Sequence, residues 1–304
     1  MKKVLAITLY DRTPEVIRAV CAGLSLPGNQ PDAVAVCYDR APKASVCALR
    51  FECSRLGIKL REVFLEDDAI GPRCPSLAWN KALSLCDESH VFCMSSEVVL
   101  APHSIGMAYH MSEVAENFMI VGKAEHCGQS YAYPSPDGSK LMCRTITWSG
   151  RPSGLGFAWL LPMKAFRAVN GFDETYMQGY CYEDDDFVLR MWNNGTDFMF
   201  CDDIIGFHLE HRRDHLKDVD GRVSMNEKIF EKRYNDIGVL REWKFAHHVS
   251  RFDVGLNIMS HKRDSDFNHK CFVHQKFYGQ DAPWRAIPVG TYQFKAPTIE
   301  SKAL

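Results

Sequence analysis

The sequence has no apolar run long enough to cross a bilayer. Its longest strongly apolar stretch, Leu155 to Met163, falls far short of the roughly 20 residues a spanning helix needs. The opening Met1-Lys2-Lys3-Val4 carries two lysines but enters a strand-like run and reaches Asp11 too early for a signal peptide. The expectation is a soluble protein of the cytoplasm, or of a host's cytoplasm if it is viral. Charge imbalance is missing too. Lys and Arg total 36 against 38 Asp and Glu, so a net charge of -2 gives no global drive toward nucleic acid or anionic lipid. Any polyanion site must be a local patch. None of the 12 cysteines is spaced Cys-x-x-Cys, and most sit in apolar runs, such as Cys37 in Val-Ala-Val-Cys-Tyr and Cys93 in Val-Phe-Cys-Met. That pattern disfavours a zinc site and suits reduced thiols acting as small hydrophobes. No Gly-x-Gly-x-x-Gly follows the first strand-like run, which argues against a dinucleotide-dependent dehydrogenase. Internal repeats and low-complexity segments are absent as well.

What is present is an ordinary globular composition, 46% hydrophobic and 24% charged over 304 residues, enough for one large domain with an appended piece. Short β-rich runs at 4–9, 33–38, 58–64, 91–94 and 118–122 alternate with helical patterns at 13–24, 43–56, 75–86 and 102–116. Thr13 and Pro14 suit an N-cap and first helical position, and Gly57 suits a helix stop. Such alternation implies a mostly parallel sheet covered by helices on both faces. Ligands of such sheets bind outside the carboxyl ends of the strands. Attention therefore falls on Asp11-Arg12, Asp39-Arg40, Glu66-Asp67 and Ser95-Ser96-Glu97.

The middle of the chain reads differently. Residues 129–148 suggest a hairpin turning at Asp137-Gly138. A buried strand follows at Leu155–Leu161, then a helix beginning near Pro162. Four consecutive acids, Glu183 to Asp186, open a segment in which Phe187, Val188, Met191 and Trp192 fall at helical spacing. They sit where a helix N-terminus favours negative charge, and a carboxylate held there beside a cleft can take a proton from a substrate hydroxyl. An acidic first turn of an ordinary helix is the alternative. Asn194-Gly195-Thr196 reads as a helix-ending turn, and residues 197–209 as one or two further strands.

Several of these stretches occur together in one known order. They are Ile7-Thr8-Leu9-Tyr10-Asp11-Arg12, Val36-Cys37-Tyr38-Asp39, Ser76-Leu77-Ala78-Trp79-Asn80-Lys81, Asn170-Gly171-Phe172-Asp173-Glu174, Glu183-Asp184-Asp185-Asp186 and Phe207-His208. Together they resemble the nucleotide-diphospho-sugar transferases of the GT-A fold, particularly the inverting family 2 and its galactosyltransferase-like relatives, over approximately residues 3–215. The resemblance implies an α/β, Rossmann-like, mostly parallel sheet flanked by helices. It would form a catalytic domain over 1–223, with a helical or irregular C-terminal extension over 224–304 packed on it and open to binding the acceptor.

It also implies roles for single residues. Thr8, Tyr10, Arg12, Asp39, Asn80, Ser95, Ser96, Gly156 and Trp159 would face the nucleotide sugar. The leaving diphosphate needs its charge neutralised, which the family does with a divalent cation, Mn²⁺ or Mg²⁺. The usual Asp-x-Asp here reads Ser95-Ser96-Glu97, so Glu97 keeps the last acid while Ser95 replaces the first. His208 would be the second ligand, with His211 next in line and His215 a solvated residue. Asp184 would be the base and Glu183 would hold acceptor hydroxyls or backbone amides, leaving Asp185 and Asp186 for capping. The Arg151–Gly156 loop would let backbone approach the diphosphate, while Phe157 and Trp159 would either stack on a sugar or fill the core.

The acceptor stays open between a glycan or glycolipid precursor and hydroxymethylated DNA. The second choice rests on the basic–aromatic tail, with Trp243-Lys244, His261-Lys262-Arg263 and Trp284-Arg285. A protein that binds nucleotide sugar without turnover is the non-enzymatic alternative.

Overall fold

The computed structural model describes residues 1–65, 74–113, 116–126, 132–134, 140–142, 157–209 and 219–234. Expectations that fall on Glu66-Asp67, the Asp137-Gly138 turn, Gly156 and its loop, His211, His215 and the basic–aromatic tail lie outside the described residues. In chain order the elements are β1 (Val4–Leu9), α1 (Pro14–Leu24), β2 (Ala33–Tyr38), α2 (Lys43–Leu56), β3 (Lys59–Phe64), α3 (Ser76–Ser84), β4 (His90–Ser95), β5 (Val98–Leu100) and α4 (Ser104–Ser112). Then come β6 (Phe118–His126), β7 (Ala132–Pro134), β8 (Lys140–Met142), β9 (Ala158–Pro162), α5 (Met163–Ala168), a 3₁₀ turn (Glu174–Gln178), α6 (Glu183–Asn193), β10 (Asp197–His208) and α7 (Val219–Tyr234). No helix among them is long and apolar enough to cross a membrane.

Eight strands form one sheet in the order β3-β2-β1-β4-β9-β6-β10-β5, and β7 pairs with β8 as a separate hairpin. Strands β1, β2, β3, β4, β6 and β10 run one way, while β9 and β5 run against them. The alternation of side chains divides the core. Leu5, Ile7 and Leu9 face one layer with residues of α1, α2 and α4; Val4 and Ala6 face the other with residues of α3, α5 and α6. Both layers are closed, so the central strands read as continuous apolar runs, as covered parallel sheets require.

Local signals explain the boundaries. Pro14 opens α1 from Thr13 in an extended conformation, although the Thr13 hydroxyl makes no capping bond. Gly57 ends α2 in the left-handed region at φ 67. Gly195, at φ 81, turns the chain after α6, in keeping with the expected helix-ending turn. The expected division after residue 223 falls inside α7, which runs unbroken from Val219 to Tyr234.

Candidate active site

The register of the short return strand builds the first half of the site. Thr8 of β1 lies beside Ser95 of β4, so both strands end level with each other. The chain then turns through Ser96 and Glu97 and comes back as β5, antiparallel to β10, pairing Val98 with His208. Glu97 is thereby carried to the end of β10, where its carbonyl accepts from the Leu209 N–H at 2.9 Å. Glu97 Oε1 lies 3.4 Å from His208 Nε2, and the two residues are only 7% and 5% exposed. The Phe157 and His208 rings pack perpendicular to each other with centroids 5.0 Å apart.

Arg12 completes this cluster. Its Nε donates to Glu97 Oε2 at 3.0 Å, and the Ser96 hydroxyl donates to the same oxygen at 3.2 Å. The Arg12 carbonyl accepts from the buried Ser45 hydroxyl, which ties the β1 loop to the start of α2. Asp11 and Arg40, at φ 31 and 54, turn sharply just after β1 and β2. Arg40 meets Asp39 at 3.1 Å and lies over the Tyr10 ring at 5.1 Å, so the ends of the two strands are bound together. Thr8, Tyr10, Arg12, Asp39, Ser95, Ser96, Glu97 and His208 therefore gather at one edge of the sheet.

The acidic helix arrives at the same edge. After α6 a short turn leads into β10, which runs parallel to β6, so α6 points its N-terminus toward the carboxyl ends of the strands. Phe187, Val188 and Met191 anchor its inner face in the core with Trp159. Glu183 and Asp184 are half-buried at its first turn. The buried Cys74 thiol hydrogen-bonds Glu183; burial first, then that carboxylate's charge, push the thiol well above its ordinary pKa.

Two expected donor contacts are placed elsewhere. Trp159 is 1% exposed, with Trp79, Phe172 and Phe187 against it, so its ring belongs to the core and not to a sugar platform. Strand alternation decides this, because Trp159 points into the α3–α6 layer. Asn80 is occupied within the protein. Its Nδ2 donates to the Phe172 carbonyl and to Glu174 Oε1, both at 2.9 Å, and its Oδ1 accepts from the Phe172 N–H at 2.8 Å. Asn80 thus pins the loop that leads to the acidic helix. Asp186 is fully buried between Arg190 and Arg233, so this acid is structural.

Residues 151–214 match the family described as the N-terminal domain of galactosyltransferase, a span that contains α6 and β10. No curated protein sequence matches the chain. Among solved structures, S. aureus TarS 1–349 in complex with UDP-GlcNAc superposes with a TM-score of 0.52 at 13% identity, covering 94% of this chain and 82% of that one. The chain has the GT-A glycosyltransferase fold. The mannosyltransferase PcManGT from Pyrobaculum calidifontis, in complex with GDP-Man and Mn²⁺, gives a TM-score of 0.51 at 11% identity over 70% of this chain. GalNAc-T7 with UDP, GalNAc and Mn²⁺ gives 0.50 at 9% identity over 70%. The chain spans 58% of the mannosyltransferase, 44% of GalNAc-T7 and 60% of another TarS 1–349 structure.

Within this GT-A core the donor set for a divalent ion is small. Among the described residues no group of three or more His, Cys, Asp or Glu is gathered as a metal site. Glu97 and His208 still suit two neighbouring positions of an octahedral ion. Metal–ligand bonds of about 2.1 Å put adjacent ligands roughly 3 Å apart, close to the separation found. Diphosphate oxygens and water would have to supply the other ligands. Sequence reasoning missed the Glu97–Arg12 pair and the arginines around Asp186. Only Arg190, four residues beyond Asp186 and on the same helix face, left a legible signal.

Proposed function

We propose that this GT-A chain transfers a sugar from a nucleoside-diphosphate sugar, in the first instance a UDP-sugar, to an acceptor hydroxyl with inversion at the anomeric carbon. The observation that carries the reading is that the topology puts two unlike groups on the carboxyl-end side of one sheet: the Glu97–His208–Arg12 cluster and the acidic start of α6. The neighbours support the donor class, since their structures hold UDP-GlcNAc, GDP-Man with Mn²⁺, and UDP.

Each group has one task. Asp184 takes the proton of the acceptor hydroxyl as that oxygen bonds to the anomeric carbon. The bond from that carbon to the diphosphate breaks in the same displacement, and the diphosphate departs with the electron pair. One base on the acceptor side suffices for such a displacement. Arg12 puts a positive charge beside the strand ends, where a departing diphosphate gathers negative charge. Glu97 and His208 would hold Mn²⁺ or Mg²⁺, which when bound supplies Lewis-acid neutralisation of the leaving group. Tyr10 and Asp39, at the ends of β1 and β2, would meet the base and ribose, and Thr8, Ser95 and Ser96 would offer hydroxyls to the ribose or diphosphate. Glu183, held by Cys74, would orient the acceptor. The acceptor itself would be a glycan or glycolipid precursor.

The test is Asp184→Asn. It keeps the shape and removes the base, so transfer should fall by at least a factor of about 100 while UDP binding stays within about twofold. Full transfer by that variant would remove Asp184 from the mechanism.

A further inference from the structure

Helix α7 lies beyond the matched family segment, and no single residue of it was expected to take part in the reaction, although the extension from 224 onward was expected as a place for the acceptor to bind. Yet Arg222, Asn226, Phe230 and Arg233 follow one another at spacings of three and four, so they form a single stripe along the helix. Each meets the segment just ahead of the acidic helix or the helix itself. Arg222 donates to the Gly179 carbonyl at 2.9 Å, and its own carbonyl accepts from the Tyr180 N–H at 3.1 Å. Asn226, fully buried, donates to the carbonyls of Tyr176 and Cys181 at 3.0 and 2.7 Å. Phe230 packs on the Tyr182 ring at 5.4 Å. Arg233 bridges Asp173, the N-cap of the 3₁₀ turn, and Asp186 in the first turn of α6.

The segment so held carries backbone strain. Cys181 and Tyr182, at φ 62 and 69, are two successive non-glycine residues in the left-handed region, directly before Glu183. Such conformers persist only where surrounding contacts over-determine them. Gly179 is fitted closely to the helix, since a Cβ there would lie 1.9 Å from Asn226 Oδ1. Asp186 is fully buried, and the guanidiniums of Arg190 and Arg233 meet its two carboxyl oxygens, so removing one of them is costly. For Asp173, burial opposes ionisation, but the Thr175 N–H and Arg233 outweigh it and hold its carboxyl below the usual range.

We propose that α7 is a clamp on the acid-bearing turn and that Arg233 is its positioning residue. By joining Asp173 to Asp186 it closes the 173–186 segment at both ends, and so sets the aim of Asp184 without touching substrate. The catalytic half of this inference rests on the glycosyltransferase reading; the clamp itself does not.

The experiment uses the full chain with Arg233→Met, Arg233→Lys and Arg233→Ala, and reads three quantities. These are amide hydrogen exchange over 179–186, UDP affinity by calorimetry, and kcat and KM for transfer. The clamp predicts that Arg233→Met speeds exchange in that segment by about tenfold or more with little change in β1, β2 and β4. It predicts UDP affinity within about twofold of the parent and kcat lowered about tenfold, because Arg12, Asp39 and Glu97 lie on other elements. Arg233→Lys should fall between, since an ammonium reaches one carboxylate and not both. Added methylguanidinium should restore part of the rate in Arg233→Ala. Unchanged exchange over 179–186 in a folded variant would overturn the clamp. So would a kcat loss matched by an equal loss of UDP affinity. If Arg233→Met does not fold, Arg233→Lys is read by the same criteria. If no transfer is found in the parent protein, the function reading fails and the exchange result alone still decides the clamp.

Discussion

Replacing Asn80 by alanine separates the loop-pinning role its hydrogen bonds give it from the donor contact that the family resemblance implied. The side chain makes three hydrogen bonds across to the loop at 170–174, at 2.9, 2.9 and 2.8 Å, and two of them satisfy the N–H and C=O of Phe172. Gly171 presses on the same amide: at φ 68 it takes a turn that L side chains resist, and a Cβ there would lie 2.5 Å from Asn80 Oδ1. Each internal hydrogen bond contributes about 1 kcal/mol net, and leaving a buried partner unmet costs about 1–3 kcal/mol. Asn80 is only half-buried, so water recovers part of that. A loss of about 2 kcal/mol follows, or roughly 4 °C in Tm for a chain of this size. Asn80→Asp should cost more at neutral pH, because it keeps an acceptor for Phe172 but sets a carboxylate against Glu174. Urea and thermal unfolding measure the stability, and calorimetry with UDP measures the donor site. The expected outcome is lower stability with UDP affinity within about twofold. Unchanged stability with UDP affinity down about tenfold would refute the loop-pinning role and return Asn80 to the donor pocket.

Glu97→Gln should weaken UDP binding about tenfold or more with Mn²⁺ present and leave it nearly unchanged in chelator, since the amide is a poor ligand of nearly the same shape; an equal loss in both would make Glu97 a direct nucleotide contact. Glu88 receives two bonds from Arg61, at 2.9 and 2.6 Å, and this pairing holds its carboxyl down at about 2. A depressed carboxylate pKa stabilises the fold above the unfolded value, so the contribution is lost as pH falls from about 4.5 toward 2. Arg61→Met should therefore cost about 1 kcal/mol at pH 7 and progressively less below pH 4, and a cost that is the same at pH 2.5 would contradict the pairing. Cys47 is exposed on α2, whereas Cys21, Cys53 and Cys93 are buried, and burial pushes the Cys53 thiol up to about 12. Peptide-resolved maleimide labelling at neutral pH should find Cys47 modified and those three protected until denaturant is added; labelling of Cys93 at the rate of Cys47 would show a looser core.

Much of the framework was legible because its signals are local. The strand runs at 4–9 and 33–38 match β1 and β2, and Gly57 and Gly195 mark the ends of α2 and α6. The sheet edge could be reached from sequence as well, since Thr8, Asp39 and Ser95 lie at strand ends. What sequence could not supply was register. Glu97 meets His208 only because β5 turns back beside β10, and a three-residue strand is too short to carry a period. Trp159 shows the same limit from the other side, since alternation alone does not say which face of a covered sheet holds the ligand. Asn80 and Arg233 act across 92 and 60 residues, on the Phe172 loop and on Asp173 respectively. No periodicity links such partners.

The most direct test of the central claim is UDP release from a panel of UDP-sugars, first with Mn²⁺ and then with chelator. The Glu97–His208 site predicts that one donor is turned over with metal and that release stops when the ion is removed. No release from any donor, together with no UDP binding by calorimetry, would contradict the account.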